Sequence, residues 1–249
     1  MMVHLITLIR NNNCIIKYNC EFNIKWTDNE LLSHIIELNC SYTQLRNLPE
    51  LPNCIELDCS YNRLTYLPEL PNCRHIDCYV NQLTNLPELP NCKYLSCSQN
   101  QLTNLPELPL CKYLGCSQNQ LIKLPKLPNC TELYCHNNQL TNLPELSNCI
   151  NLNCANNQLT FLSELPNCKY LYCLNNNLPF AILKEHRKVW KFKRFYLRLK
   201  YFRLFYKGML QSLANKKYDL HLELKYSPNL NFYKQDPYYL HFKESQIKF

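Results

Sequence analysis

The chain has 249 residues with 27 Lys and Arg against 19 Asp and Glu, a net charge of +8, and 46% of its residues are hydrophobic. That is apolar material for one large domain or two small ones. No run of about 18 uncharged apolar residues occurs, so no membrane-spanning helix is expected. The short run Val3, Leu5, Ile6, Leu8, Ile9 lacks the basic start and small-residue cleavage site of a signal peptide.

In chain order, the first element is an alternation of Ile16, Tyr18, Cys20, Phe22, Ile24 and Trp26 with polar residues, which predicts a half-buried strand. Thr27 followed three residues on by Glu30 reads as a capping box that opens a short helix through His34. Residues 1–34 are therefore expected to form an N-terminal cap.

From residue 35 to 178 the sequence repeats. Cys40, Cys59, Cys78, Cys97, Cys116, Cys135, Cys154 and Cys173 are each 19 residues apart, and so are Cys54, Cys73, Cys92, Cys111, Cys130, Cys149 and Cys168. The clearest unit is CKYLSCSQNQLTNLPELPL, residues 92–110, or C-x-x-L-x-C-x-x-N-x-L-x-x-L-P-x-L-P-x. Positions 3 to 5 alternate around Leu38, Leu57, Ile76, Leu95, Leu114, Leu133, Leu152 and Leu171, which predicts a short strand with one buried face. The series Asn62, Asn81, Asn100, Asn119, Asn138, Asn157 and Asn176 marks the turn after each strand, where a buried amide would satisfy backbone groups of its own and the adjacent coil. Each L-P-x-L-P stretch excludes a helix interior, because proline removes a donor and pushes its predecessor to extended geometry.

This pattern resembles the leucine-rich repeat L-x-x-L-x-L-x-x-N-x-L, with Cys in place of Leu at positions 1 and 6. The L-P-x-L-P tail is similar to the LPX subtype of bacterial effectors, and similar arrays occur in proteins of giant DNA viruses. The departures are the 19-residue period, Ile35 and Thr43 in the first unit, and Ser147 and Ser163 in place of proline. The resemblance implies a leucine-rich-repeat solenoid: a parallel β-sheet on one face, an extended non-helical convex side, an N-terminal cap and a C-terminal helical cap. It also implies a protein–protein interaction module rather than an enzyme.

The cysteines admit three roles. A buried thiol acts as a small hydrophobe, and both positions point inward. Neighbouring coils at about 4.8 Å would also permit disulfides. A C-x4-C spacing without an accompanying His set does not match a zinc site. Packing of free thiols in an intracellular protein (host cytoplasm, if viral) is the expectation, with no metal and no cofactor.

After Leu178, Pro179 suits the first turn of a helix. Val189, Phe192, Tyr196, Leu199, Phe202, Tyr206, Met209 and Leu213 then recur at helical spacing to about Ala214. From Lys184 to Lys217 there are twelve Lys or Arg and one acid, Glu185. Residues 179–217 are expected to be a basic aromatic helix that caps the array, with Val189, Tyr196, Leu199 and Phe202 covering the end formed by Cys168, Leu171 and Leu178. Arg187, Lys191, Arg194 and Arg198 would share one side of it and offer a site for nucleic acid or an anionic membrane surface. In residues 218–249, the alternation Leu220, Leu222, Leu224, Tyr226 predicts a short strand followed by a tail.

No Gly-rich phosphate loop, H-E-x-x-H or G-x-S-x-G is present, and no Cys follows Cys173, so neither catalysis nor a small-molecule substrate is expected. The outward strand positions vary between units, with acids at one end and tyrosines in the middle and at the other end. Tyrosine supplies rigid amphipathic contact area at low entropy cost. Glu56, Asp58, His75, Asp77, Tyr94, Tyr113, Tyr134, Tyr170 and Tyr172 are accordingly the candidate partner-binding residues, for a protein partner on the sheet face.

Overall fold

A computed structural model describes residues 2–10, 14–18, 27–179 and 183–226. The chain divides into two compact units, Met1–Lys188 and Val189–Phe249.

The first unit opens with helix α1 (Met2–Arg10), strand β1 (Ile15–Tyr18) and helix α2 (Asp28–His34). The α1 helix was not anticipated; Leu5, Ile6 and Ile9 bury its apolar side. Thr27 caps α2 as the capping box predicts: its Oγ1 accepts from Glu30 N at 3.3 Å, and Thr27 N donates to Glu30 Oε2 at 2.7 Å. The strand expected over residues 16–26 is present as far as Tyr18, and the rest of that stretch lies outside the described residues.

Strand β2 (Ile35–Asn39) starts the array. The strands β3 to β9 follow as Glu56–Asp58, His75–Asp77, Tyr94–Ser96, Tyr113–Gly115, Glu132–Tyr134, Asn151–Asn153 and Tyr170–Tyr172. These are the three positions the repeat assigned to the strand. The sheet runs in order β1 to β9; β1 is antiparallel to β2 and the remaining pairs are parallel. Register is strict: Leu57 pairs with Ile76, Leu95 with Leu114, Leu133 with Leu152. Every coil therefore places the same motif position directly over its predecessor. Between β2 and β9 the return side is extended and carries no helix.

Inside each coil, leucines of the strand and of the L-P-x-L-P segment meet the two cysteine columns; Leu95, Cys97, Leu102, Leu108 and Cys111 are all fully buried. The sixteen described cysteines are free thiols; Cys20 lies outside the described residues. Burial pushes the Cys92, Cys130 and Cys149 thiols up to about 12 and raises Cys97 and Cys116 further, so these thiols stay protonated and unreactive. The column beginning at Cys54 also donates: Cys92 Sγ to Tyr94 O at 3.2 Å and Cys111 Sγ to Tyr113 O at 3.0 Å. A leucine there would offer no such donor.

The turn asparagines are stitches between coils. Asn100 Nδ2 donates to Cys78 O of the previous coil at 3.0 Å and to Cys97 O of its own at 3.1 Å. Its Oδ1 accepts the N–H of Leu83 at 2.9 Å. In the first coil, Thr43 stands where the asparagine is missing, and its hydroxyl bridges Cys40 O and Asn62 Oδ1.

A second asparagine ladder runs along the opposite side and was missed in the sequence, although its P-N-C signal recurs with the same period. Asn72 Nδ2 donates to Pro52 O at 2.9 Å, Asn91 to Pro71 O at 2.8 Å and Asn129 to Pro109 O at 2.8 Å. Leu110 replaces asparagine in one coil and is exposed.

Helix α3 (Leu183–Tyr226) follows the array. Leu183 packs on the core, buried His186 donates from Nε2 to Ser163 O at 3.0 Å, and Arg187 Nη2 donates to Cys168 O at 2.8 Å. These first-turn residues contact the last coil within the first unit; Val189, Tyr196, Leu199 and Phe202, to which the sequence assigned that role, belong to the second unit. The strand expected at Leu220–Tyr226 is a correction: the helix continues through those residues. Four alternating apolar positions carry little weight where a helix is already propagating at one hydrogen bond per residue.

Candidate interaction surface

The outward side chains of the sheet come from motif positions 3 and 5. Because parallel strands sit about 4.8 Å apart and stay in register, like residues at one position form columns. His75 stacks on Tyr94 with ring centroids 4.0 Å apart, and Tyr94 on Tyr113 at 4.2 Å, with planes within 13° and 7° of parallel. Tyr134, at position 5 of the next coil, joins them at 5.6 Å in a tilted contact. Beneath the Tyr113 ring lies Gly115, where an added Cβ would sit 3.4 Å from that ring. The stack is continuous over four strands, β4 to β7. Burial raises the Tyr94 and Tyr113 phenols above their ordinary value, so both stay neutral hydrogen-bonding groups.

Tyr170 and Tyr172 project from β9 and are exposed, but Asn151 and Asn153 of β8 separate them from the stack. The expected tyrosine face is therefore two patches, not one.

The acidic end lies over β2 to β4. Glu37 faces Glu56 and Asp58 faces Asp77 in direct register. Lys17 of β1 pairs with Glu37. A depression of about 230 Å³ opens here, lined by Lys17, Glu37, Glu56, Asp58 and His75 among others. Asp58 also has local structural duties: its Oδ1 accepts from Ser60 N and Oγ at 3.0 and 2.7 Å, and its Oδ2 from Asn39 Nδ2 at 2.9 Å. Asp77 accepts from Tyr79 N at 3.0 Å. Burial raises the Asp77 carboxyl above its ordinary range, the Tyr79 N–H pulls it back, and Asp58 adds to the rise.

A third row was missed in the sequence. Tyr42 and Tyr61, in the turns after β2 and β3, stack at 4.2 Å, and Tyr61 meets Tyr79 edge-on at 5.3 Å. The recurrence of Tyr two positions after Cys40 and Cys59 was its only signal.

Of the basic set, all four residues lie on helix α3; Arg187 donates to the Cys168 carbonyl, and Lys191, Arg194 and Arg198 are exposed. Among the described residues, no group of three His, Cys, Asp or Glu could hold a metal ion, and no helix is long and apolar enough to cross a membrane.

No protein-family model matches the sequence, and no curated protein matches it. Solved structures do. YopM from Yersinia enterocolitica is similar over 57% of this chain at 39% identity, with a TM-score of 0.55. YopM from Yersinia pestis, a leucine-rich effector protein, is similar over 58% at 35% identity and 0.54. The LRR domain of a Shigella effector is similar over 57% at 32% identity and 0.50, and 70% of that domain is covered. The match spans only 34% and 45% of the two YopM chains.

Proposed function

The chain belongs to the leucine-rich-repeat family, and from that premise we propose that it is a non-catalytic interaction module whose sheet face docks a protein partner. The observation that carries this reading is the His75–Tyr94–Tyr113 stack, three rings held parallel by strand register and turned outward. Rigid, preordered aromatic area binds without a large ordering cost. The facing acids support the same reading. Like charges directly opposite one another on a sheet destabilise it, so Glu37 with Glu56 and Asp58 with Asp77 are a cost that a positively charged partner surface would offset. Glu56, Asp58, His75, Asp77, Tyr94, Tyr113 and Tyr134 then form the contact face, with Tyr170 and Tyr172 as a separate outlying contact. Residues 1–34 serve as the N-terminal cap, 35–178 as the array, and the start of 179–217 as the C-terminal cap. Two columns of unoxidised, buried cysteines support an intracellular site of action.

Affinity capture followed by mass spectrometry tests it, comparing the wild type with Tyr94→Ala/Tyr113→Ala. Loss of specific partners by the double variant, with the fold intact, is the expected result. An unchanged set of partners rules the sheet face out.

A second reading rests on the surplus of Lys and Arg between residues 184 and 217. Lys191, Arg194 and Arg198 would contact nucleic acid or an anionic membrane surface. Changing these three to Gln should then reduce polyanion binding, and that binding should weaken steeply with salt.

A further inference from the structure

Within the unit Val189–Phe249, helix α3 carries two sevenfold patterns at once. Phe192, Phe195, Leu199, Phe202, Tyr206 and Met209 follow one another at alternating spacings of three and four. All six are exposed, from 40% at Met209 to 71% at Phe192. Beside them, Lys193, Lys200 and Lys207 recur at every seventh residue. A straight α-helix has 3.6 residues per turn, so a strict seven-residue row drifts around it by about 20° per heptad. The row stays in line only when helices wind around each other. Unbroken apolar rows of this size are contact sites rather than solvated surface.

We propose that this row is the seam through which α3 of two copies of the chain pair, antiparallel, as a two-fold symmetric dimer. The flanking residues select both the partner and the direction. Arg198 and Arg203 lie on opposite edges of the seam. In a parallel pair, the edge-to-edge rule brings Arg198 of one copy against Arg203 of the other, a repulsive contact. In an antiparallel pair with its dyad between Leu199 and Phe202, Phe192 meets Met209 of the second copy, Phe195 meets Tyr206 and Leu199 meets Phe202. Arg198 then lies against Phe205 and Arg203 against Tyr196. Both are cation–π partners of the kind this helix already makes, with Lys193 Nζ 4.4 Å from the Trp190 ring centroid. The arrangement closes on itself, as isologous contacts do. The three lysines fall outside the seam, where they keep their hydration. Six such side chains removed from water at each copy bury roughly 1,200 Å² in all, the lower bound of specific stable interfaces.

The pairing is independent of the sheet-face reading and is tested on the full chain, under reducing conditions, by sedimentation equilibrium. The expected mass is twice the 29.8 kDa of one chain. Leu199→Glu/Phe202→Glu should give a monomer whose array melts as the wild type does. Leu197→Glu/Leu204→Glu, equally apolar but on the side away from the seam, should leave the dimer. Phe205→Glu should tighten it, because the carboxylate meets Arg198 of the second copy. A wild type that is monomeric at micromolar concentration overturns the proposal. So does a dimer that survives the Leu199/Phe202 change, or one lost equally with the Leu197/Leu204 change. A monomer that sediments with phosphatidylserine vesicles overturns it in favour of a membrane-surface helix.

Discussion

The Asn100 side chain joins two coils at one point: its amide donates to the Cys78 carbonyl at 3.0 Å while its oxygen accepts the Leu83 N–H at 2.9 Å. Asn100 is buried, so water cannot replace either bond. Asn100→Ala should cost about 1–3 kcal/mol, the penalty of leaving buried groups unpaired. Asn91→Ala, on the exposed ladder, should cost less, because water reaches the Pro71 carbonyl. Urea unfolding of the two variants checks the order, and equal losses would contradict it.

Leu110 interrupts the outer ladder. Its neighbours Asn91 and Asn129 each donate to a proline carbonyl of the preceding coil at 2.8 Å. Leu110→Asn should supply the missing bond to Pro90 and remove an exposed apolar side chain. The expected gain is about 0.5–1.5 kcal/mol, the net worth of one hydrogen bond, read as a higher urea midpoint at unchanged slope.

Each turn after β3 to β9 holds one residue in the left-handed region, and the turn after β2 holds two, Tyr42 and Gln44. Gln99, Gln118, Asn137, Asn156 and Asn175 occupy it with φ between 53° and 56°, and in one coil it is Val80, at 53°. A β-branched residue is strained there, at a cost of about 1–2 kcal/mol for an L-residue, whereas Asn tolerates the conformation. Val80→Asn should recover part of this as a higher melting temperature. Val80→Ile should not, and a rise with both would point to packing instead.

Asp58 and Asp77 face each other across β3 and β4. Asp77→Asn keeps an acceptor for the Tyr79 N–H and removes one charge; Asn39 already does this work for Ser41 N, at 3.0 Å. A gain of about 0.2–1 kcal/mol at neutral pH is expected. The pH dependence has a definite sign. Burial raises the Asp77 carboxyl above its ordinary 3.8, so the folded state holds that proton more tightly than the unfolded chain. Its contribution to stability therefore falls as pH rises from that ordinary value through the folded pKa, and stays low above it. The Asn variant should lack this slope in a comparison of melting temperatures against pH.

Burial of the two cysteine columns sets an order of reactivity. Among the described thiols, half-buried Cys14 should alkylate first in native buffer, and the columns from Cys40 and Cys54 only after unfolding. Peptide mapping with a different reagent at each step reads this directly. Column cysteines recovered as disulfides from protein isolated without oxidation would contradict the free-thiol packing.

The sequence by itself determined the array. A 19-residue period repeats one chemical environment, so each position has the same task in every coil: Leu95 and Cys97 inward, Asn100 in the turn, Leu105 through Pro109 on the extended return. Thr27 and Glu30 were legible for the same reason, since a capping box is completed within four residues. Only the tertiary structure decided relationships between coils. It set Tyr94 between His75 and Tyr113, brought Tyr134 to the Tyr113 ring at an angle, and separated Tyr170 and Tyr172 from that stack. It also brought His186 and Arg187 onto the last coil. In each case the partner is about 19 residues away or on another element. Which rings meet then depends on strand register and side-chain direction, and neither is written in any single repeat.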